Sequence, residues 1–100
     1  MAAGCPIIIK PSSQTPLSAY AVGELCEKIG LPAGVVHVIC GPGAEIGDHL
    51  SASTIPAMLT LIGSTNTGKH IMKVGASSIK RYSMELGGNA PALVFADADL

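Results

Sequence analysis

Four short apolar runs, each followed by a turn rich in glycine, proline or hydroxyl residues, set the fold open to this chain. Pro6 to Lys10 and Val35 to Cys40 are continuous rather than alternating, the pattern of strands covered on both faces. Met58 to Ile62 is a third strand. In the fourth, Ile79 to Leu86, Tyr82, Met84 and Leu86 alternate with Arg81, Ser83 and Glu85, which predicts a half-buried strand. Ala92 to Phe95 reads as a further short strand.

Helical patterns lie between these runs. Thr15 and Pro16 supply a cap and a first helical position, and Leu17, Ala21 and Leu25 fall with Val22, Cys26 and Ile29 along an inward face. Gly30 ends that helix, with Lys28 favourable to its dipole. The glycine-rich Gly41 to Gly47 opens a short helix through about Leu50, before a polar loop with a proline stop. Ser64 to Ser78 predicts a helix capped by Ser64 or Thr65, with Ile71, Met72 and Val74 facing in and Gly68 and Gly75 weakening it. Ala96 to Leu100 resembles the acidic start of a helix whose body lies past Leu100. Strands alternating with helices imply an α/β fold with an open, mostly parallel sheet, right-handed crossovers and ligands at the carboxyl ends of the strands.

Composition narrows the function. Apolar types make up 48% of 100 residues and charged types 13%, and a mean hydropathy of +0.48 is high for a free-standing domain. We therefore read the chain as a piece of something larger. A net charge of -1 with six Lys plus Arg leaves no basic stripe for nucleic acid. No apolar run approaches the ~20 residues of a membrane span, and no basic leader precedes an apolar core, so the expectation is a cytoplasmic protein without a membrane partner. Cys5, Cys26 and Cys40 form neither a disulfide framework nor a zinc pattern and read as reduced, mostly buried packing residues. His37, His49 and His70 are scattered with no acid at ligand spacing, against a metal site.

Several residues carry chemistry. Lys10 ends the first strand, with Ser12, Ser13 and a helix start close behind, an arrangement suited to an anion or a sugar hydroxyl or simply to a surface turn. Gly43 belongs to a GxGxxxG turn that is weak evidence of a nucleotide by itself. Gly63, Ser64, Thr65 and Gly68 form a second candidate diphosphate or nicotinamide contact, or a plain helix cap. Glu85 stands before Gly87 and Gly88 at the end of a strand. Partly desolvated, it could take a proton from water near neutral pH; on the polar face of a strand it would be a solvated acid.

The ordered set AAGCPIIIKPSSQTP, GLPAGVVHVICGPGAEIG, GSTNTGK and KRYSMELGGNAPALVFADADL resembles the NAD(P)-dependent aldehyde dehydrogenase superfamily over essentially the whole chain, in wording most like its succinate-semialdehyde dehydrogenase branch. The resemblance implies that residues 1–84 belong to the cofactor-binding domain and residues 85–100 open the catalytic segment. It implies that Lys10 holds the adenosine ribose, that Gly63, Ser64 and Gly68 contact the cofactor, that Leu86 lines the nicotinamide pocket and that Glu85 is the general base. Ser13 stands where many NAD-preferring members carry a glutamate, so NADP is expected to be accepted at least as well as NAD. Leu61 and Ile62 replace the family's usual Phe-Thr, removing an aromatic and a hydroxyl beside the nicotinamide. The family's nucleophilic cysteine lies downstream of the glutamate motif, and none of Cys5, Cys26 and Cys40 matches it.

In a complete protein, expected to be a homo-oligomer, this implies oxidation of an aldehyde to a carboxylic acid, a chemistry the 100 residues could not run alone. Two other readings stand beside it. One is a self-contained nucleotide-binding or regulatory module with a structural Glu85; the other is an inactive truncated product whose open sheet edges drive association.

Overall fold

The computed structural model describes residues 1–99. Strand β1 (Ile7–Ile9) leads to helix α1 (Leu17–Lys28), strand β2 (Val36–Val38), a wide helical turn at Gly43–Gly47 that runs into helix α2 (Asp48–Ala52), strand β3 (Met58–Gly63), helix α3 (Thr65–Val74), a single 3-10 turn and strand β4 (Arg81–Leu86). The fold is α/β, and every strand pairing is parallel.

The sheet is in two pieces. β1 pairs with β2 in the register Ile7↔Val36 to Ile9↔Val38, and β3 pairs with β4 from Met58↔Arg81 to Gly63↔Leu86. No ladder joins the two pairs among the described residues, where sequence predicted one open sheet. β1 and β2 are covered on one face only: Ile8 and His37 point outward and are exposed, against the expectation of two covered faces.

α1 forms where expected but turns a different face inward. The half-buried positions are Pro16, Ala19, Gly23 and Cys26, spaced at helical intervals. Gly23 lies so close to β2 that an added Cβ would sit 3.4 Å from Val38 Cγ2. Leu17, Val22, Leu25 and Ile29, placed inward by sequence, are 46 to 78% exposed. The small residues win the contact because they let the helix approach the short strand pair, and nothing in the described chain covers the larger stripe. Thr15 makes no cap, since Pro16 takes that position and no side chain caps the helix. The C-terminal end closes as expected, with Gly30 at φ +73°, its N–H donating to Glu27 O at 2.9 Å and Leu31 N–H to Cys26 O at 3.0 Å. Near the start of α1, the Cys40 thiol raises the Tyr20 phenol above its ordinary 10.0, first by hydrogen bonding and then by charge.

α3 is the better-fitted helix. Ser64 is its cap, its Oγ accepting from Thr67 N–H at 3.1 Å. Gly68 and Gly75 are buried rather than merely tolerated. An added Cβ at Gly68 would lie 3.0 Å from Leu86 Cδ2, and one at Gly75 would strike the Tyr82 hydroxyl and come within 3.2 Å of Ser51 O. These glycines let α3 settle on β4 and α2. Ile71 and Val74 are half-buried, but Met72 is 50% exposed and does not face in.

Two further expectations fail. Ala92–Phe95 forms no strand, and Leu93, Val94 and Phe95 are exposed, for they have no strand to pair with among the described residues. Ala96 and Asp97 form a turn, closed by Ala98 N–H donating to Phe95 O at 3.1 Å, rather than a helix start; Leu100 and the expected helix body lie outside the described residues. Among the described residues no hydrophobic side chain is fully buried, and the radius of gyration of 17.0 Å exceeds the roughly 13 Å of a compact 100-residue domain. Among the described residues no helix is long and apolar enough to cross a membrane. Cys5 is exposed, contrary to expectation, and Cys26 and Cys40 are half-buried free thiols.

Candidate functional site

Because all four strands pair in parallel, the segments that leave their carboxyl ends carry the candidate residues, as expected of an open α/β sheet. A cleft of about 490 Å³ gathers three of these segments and α3. Lys10, Pro11 and Ser12 follow β1; Gly43, Ala44, Gly47 and Asp48 follow β2; Leu61 and Ile62 end β3; Thr67, His70 and Ile71 come from α3. Its volume falls within the roughly 300–1,000 Å³ typical of small-molecule sites.

Of the cofactor contacts expected from sequence, Lys10, Ser12 and Gly43 line this cleft, together with Leu61 and Ile62, which stand where the family usually has Phe-Thr. The Lys10 ammonium donates to Pro11 O at 3.0 Å, which leaves two of its three N–H donors for a ligand. Ser12 accepts from Gln14 N–H at 3.3 Å, which shapes the turn after β1. An added Cβ at Gly43 or at Gly47 would meet nothing within 4 Å, so both present bare backbone to open space. Ser13 is exposed one residue beyond the lining set.

Gly63, Ser64, Thr65, Gly68 and Leu86 do not line the cleft, although Gly63 follows Ile62 in β3 and pairs with Leu86. The Ser64 hydroxyl is engaged as the α3 cap and shares a 2.9 Å hydrogen bond with Thr67 Oγ1. The N–H groups of Thr65 and Asn66 have no partner among the described residues. They leave the positive end of a ten-residue helix open beside the end of β3.

Glu85 is fixed by register. It pairs with Ile62, and Leu86 pairs with Gly63, so the acid lies one strand spacing, about 4.8 Å, from the end of β3 that lines the cleft. Its side chain is exposed and makes no hydrogen bond or ion pair among the described residues. The partial burial that would poise it as a base is therefore not supplied by residues 1–99. Gly87 and Gly88 leave open room beside it, since an added Cβ at either would meet nothing within 4 Å.

Sequence reasoning missed Asp48 and His70. His70 Nε2 lies 2.8 Å from Asp48 Oδ1, joining α3 to α2 on the cleft wall. The two stand 22 positions apart, and only the packing of α2 on α3 brings them together, so no local spacing signalled the pair. An acid therefore does meet His70 in space, though not at ligand spacing in the sequence, and among the described residues no group of three metal-ligating side chains occurs.

Comparison with known proteins identifies the family. The chain is 50% identical over its full length to glutarate-semialdehyde dehydrogenase of Pseudomonas aeruginosa and 47% identical to the NADP(+) succinate-semialdehyde dehydrogenase of Escherichia coli. It spans 21% of the length of each. Among solved structures, betaine aldehyde dehydrogenase of Staphylococcus aureus in complex with NAD+ superposes with a TM-score of 0.86 at 42% identity, over 98% of this chain and 20% of that one. Residues 1–100 match the aldehyde dehydrogenase family, and the chain belongs to it.

Proposed function

We propose that these residues form the cofactor-binding segment of an NAD(P)-dependent dehydrogenase that oxidises a semialdehyde of the succinate or glutarate type to a dicarboxylic acid. The observation that carries this reading is the meeting of Lys10, Ser12 and Gly43 in one cleft with the end of β3, whose register partner is Glu85. Relatives about five times as long provide room for the parts of the reaction that these residues lack, since each is covered to only 21%. We place residues 1–84 with the cofactor and residues 85–100 with the chemistry. The division is one of task, because β4 runs unbroken from Arg81 to Leu86.

A bound nicotinamide would accept the hydride from the substrate. Lys10 would donate to the adenosine ribose or a phosphate on it, with Ser12 and Ser13 adding hydroxyls that do not repel a 2′-phosphate. The bare backbone at Gly43 and the open amides of Thr65 and Asn66 after Gly63 and Ser64 suit a diphosphate. Gly68 brings Leu86 against α3, where its side chain would form an apolar wall for the nicotinamide. Glu85 would take a proton from the water that cleaves the thioester formed on a cysteine outside this chain. Cover from the remaining protein would supply its desolvation. The same cover accounts for the exposed stripe of α1, and a cytoplasmic homo-oligomer fits the reading.

Titration of the full-length protein with each dinucleotide tests this. Saturable binding of both, with NADP at least as tight as NAD, is expected. Strong NAD preference would refute the role given to Ser13, and absence of binding would refute the whole reading in favour of an inactive product.

A further inference from the structure

The β3–β4 ladder has two unlike faces. Leu59 and Leu61 on β3 and Tyr82 and Met84 on β4 are half-buried on the side where Leu86 meets Gly68 of α3. On the other side Thr60 and Ile62 lie beside Ser83 and Glu85. Ile62 is the register partner of Glu85, so the two side chains project together from neighbouring strands about 4.8 Å apart. Ile62 also lines the cleft. It is 83% exposed, and no packing among the described residues accounts for a large apolar side chain at that place.

The surroundings of Glu85 give Ile62 a use. Ser83 stands two residues back on the same face of β4, roughly 6.6 Å along the strand, and Gly87, two residues on, brings no side chain. Arg81, the charged group of that face, is roughly 13 Å back and makes no ion pair with Glu85. β3 carries no titratable side chain, and α3 lies against the opposite face. Among the described residues Glu85 makes no hydrogen bond. The position directly across the ladder is thus held by a side chain with neither donor nor acceptor. A hydroxyl there would donate to the carboxylate, stabilise its charged form and weaken it as a base. Isoleucine leaves the carboxylate oxygens to water.

We propose that Ile62 is a positioning residue that acts through Glu85: by withholding a hydrogen-bond donor beside the carboxylate, it keeps Glu85 free to take the proton of the hydrolytic water. This rests on the reading of Glu85 as the general base. In that step the water oxygen bonds to the thioester carbonyl carbon while its proton passes to Glu85. The carbon–sulfur bond then breaks, releasing the acid and the thiolate of a cysteine outside this chain. The effect of Ile62 falls on this step, since hydride transfer delivers no proton to Glu85.

Full-length Ile62→Thr and Ile62→Val isolate the hydroxyl, because threonine and valine share a shape and differ by one hydroxyl in place of one methyl. After mixing with succinate semialdehyde and NADP, quenched samples give the rates of reduced-cofactor formation and of acid release across a range of pH. Relative to Ile62→Val, Ile62→Thr is expected to form reduced cofactor at the same rate and to release acid about two- to fivefold more slowly above neutral pH. The acid-side fall of that release is expected about 0.5–1 pH unit lower in Ile62→Thr, because a donor favours the charged carboxylate, which then persists to lower pH but draws a proton less strongly. Formation of reduced cofactor shows that each variant is folded; should Ile62→Thr not fold, Ile62→Ser against Ile62→Ala makes the same comparison. Equal acid release and equal pH profiles in the two variants overturn the inference. If Glu85→Gln nonetheless releases acid slowly, the role of Glu85 stands; if Glu85→Gln releases acid at the wild-type rate, both fall.

Discussion

The α1 half and the α3 half repeat one plan, a strand, a turn at its carboxyl end, a helix and a second parallel strand, yet they are finished differently. α3 is capped by its own Ser64, seated on β4 through two buried glycines, and flanked by a six-residue ladder. α1 has no side-chain cap, meets a three-residue ladder through small residues, and leaves its large apolar side chains in solvent. The difference teaches that an apolar helical stripe records a need for burial and not the surface that meets it. In the α3 half the partner is local. In the α1 half we place it in the remainder of a longer protein.

The strongest test of this contrast is Leu25→Ser on the exposed stripe of α1. In the 100-residue chain it should leave stability nearly unchanged, because the side chain is already 58% exposed. In the full-length protein it should cost about 1.5–3 kcal/mol, the value of burying a leucine, read as a shift in the chemical denaturation midpoint. An equal, small effect in both would break the comparison.

Gly75→Ala probes the opposite half. Its Cβ would collide with the Tyr82 hydroxyl and crowd Ser51 O, which is backbone and cannot rotate away. A loss of about 1–3 kcal/mol is expected in the full-length protein, and a neutral result would mean that α3 is not seated as described. The smallest effect comes from the caps. Ser64→Ala should cost about 1 kcal/mol, whereas Thr15→Ala should cost nothing measurable, because only Ser64 bonds an N–H of its helix. Equal costs would sharpen the picture of α1 by revealing a cap that this structure lacks.

These contrasts also explain what could be read from sequence. The order and type of the main elements, the parallel pairing and the Ser64 cap were legible because they rest on local signals: β-branched runs, turn chemistry and a serine before a helix. The inward face of α1 was not, since Ala19, Gly23 and Cys26 carry little hydrophobicity and gain their place by allowing close approach. The Ala92–Phe95 strand failed for want of a pairing partner, which no local pattern can supply. In the site, Lys10, Ser12 and Gly43 were visible as residues at strand ends, but Asp48 and His70 were not, because α2 and α3 had first to pack. Glu85 was legible as the acid near the end of a strand, whereas its neighbour Ile62 across the β3–β4 ladder follows from a register that no local pattern shows, and its side chain is exposed.

The central claim is that Glu85, set by the β3–β4 register beside the end of β3, releases the acid product by activating water. Rapid mixing of full-length Glu85→Gln with aldehyde and NADP tests it most directly. The account predicts that the first equivalent of reduced cofactor per site still forms while steady-state turnover falls by roughly 10²–10⁴-fold. Turnover equal to that of the wild-type protein would contradict it.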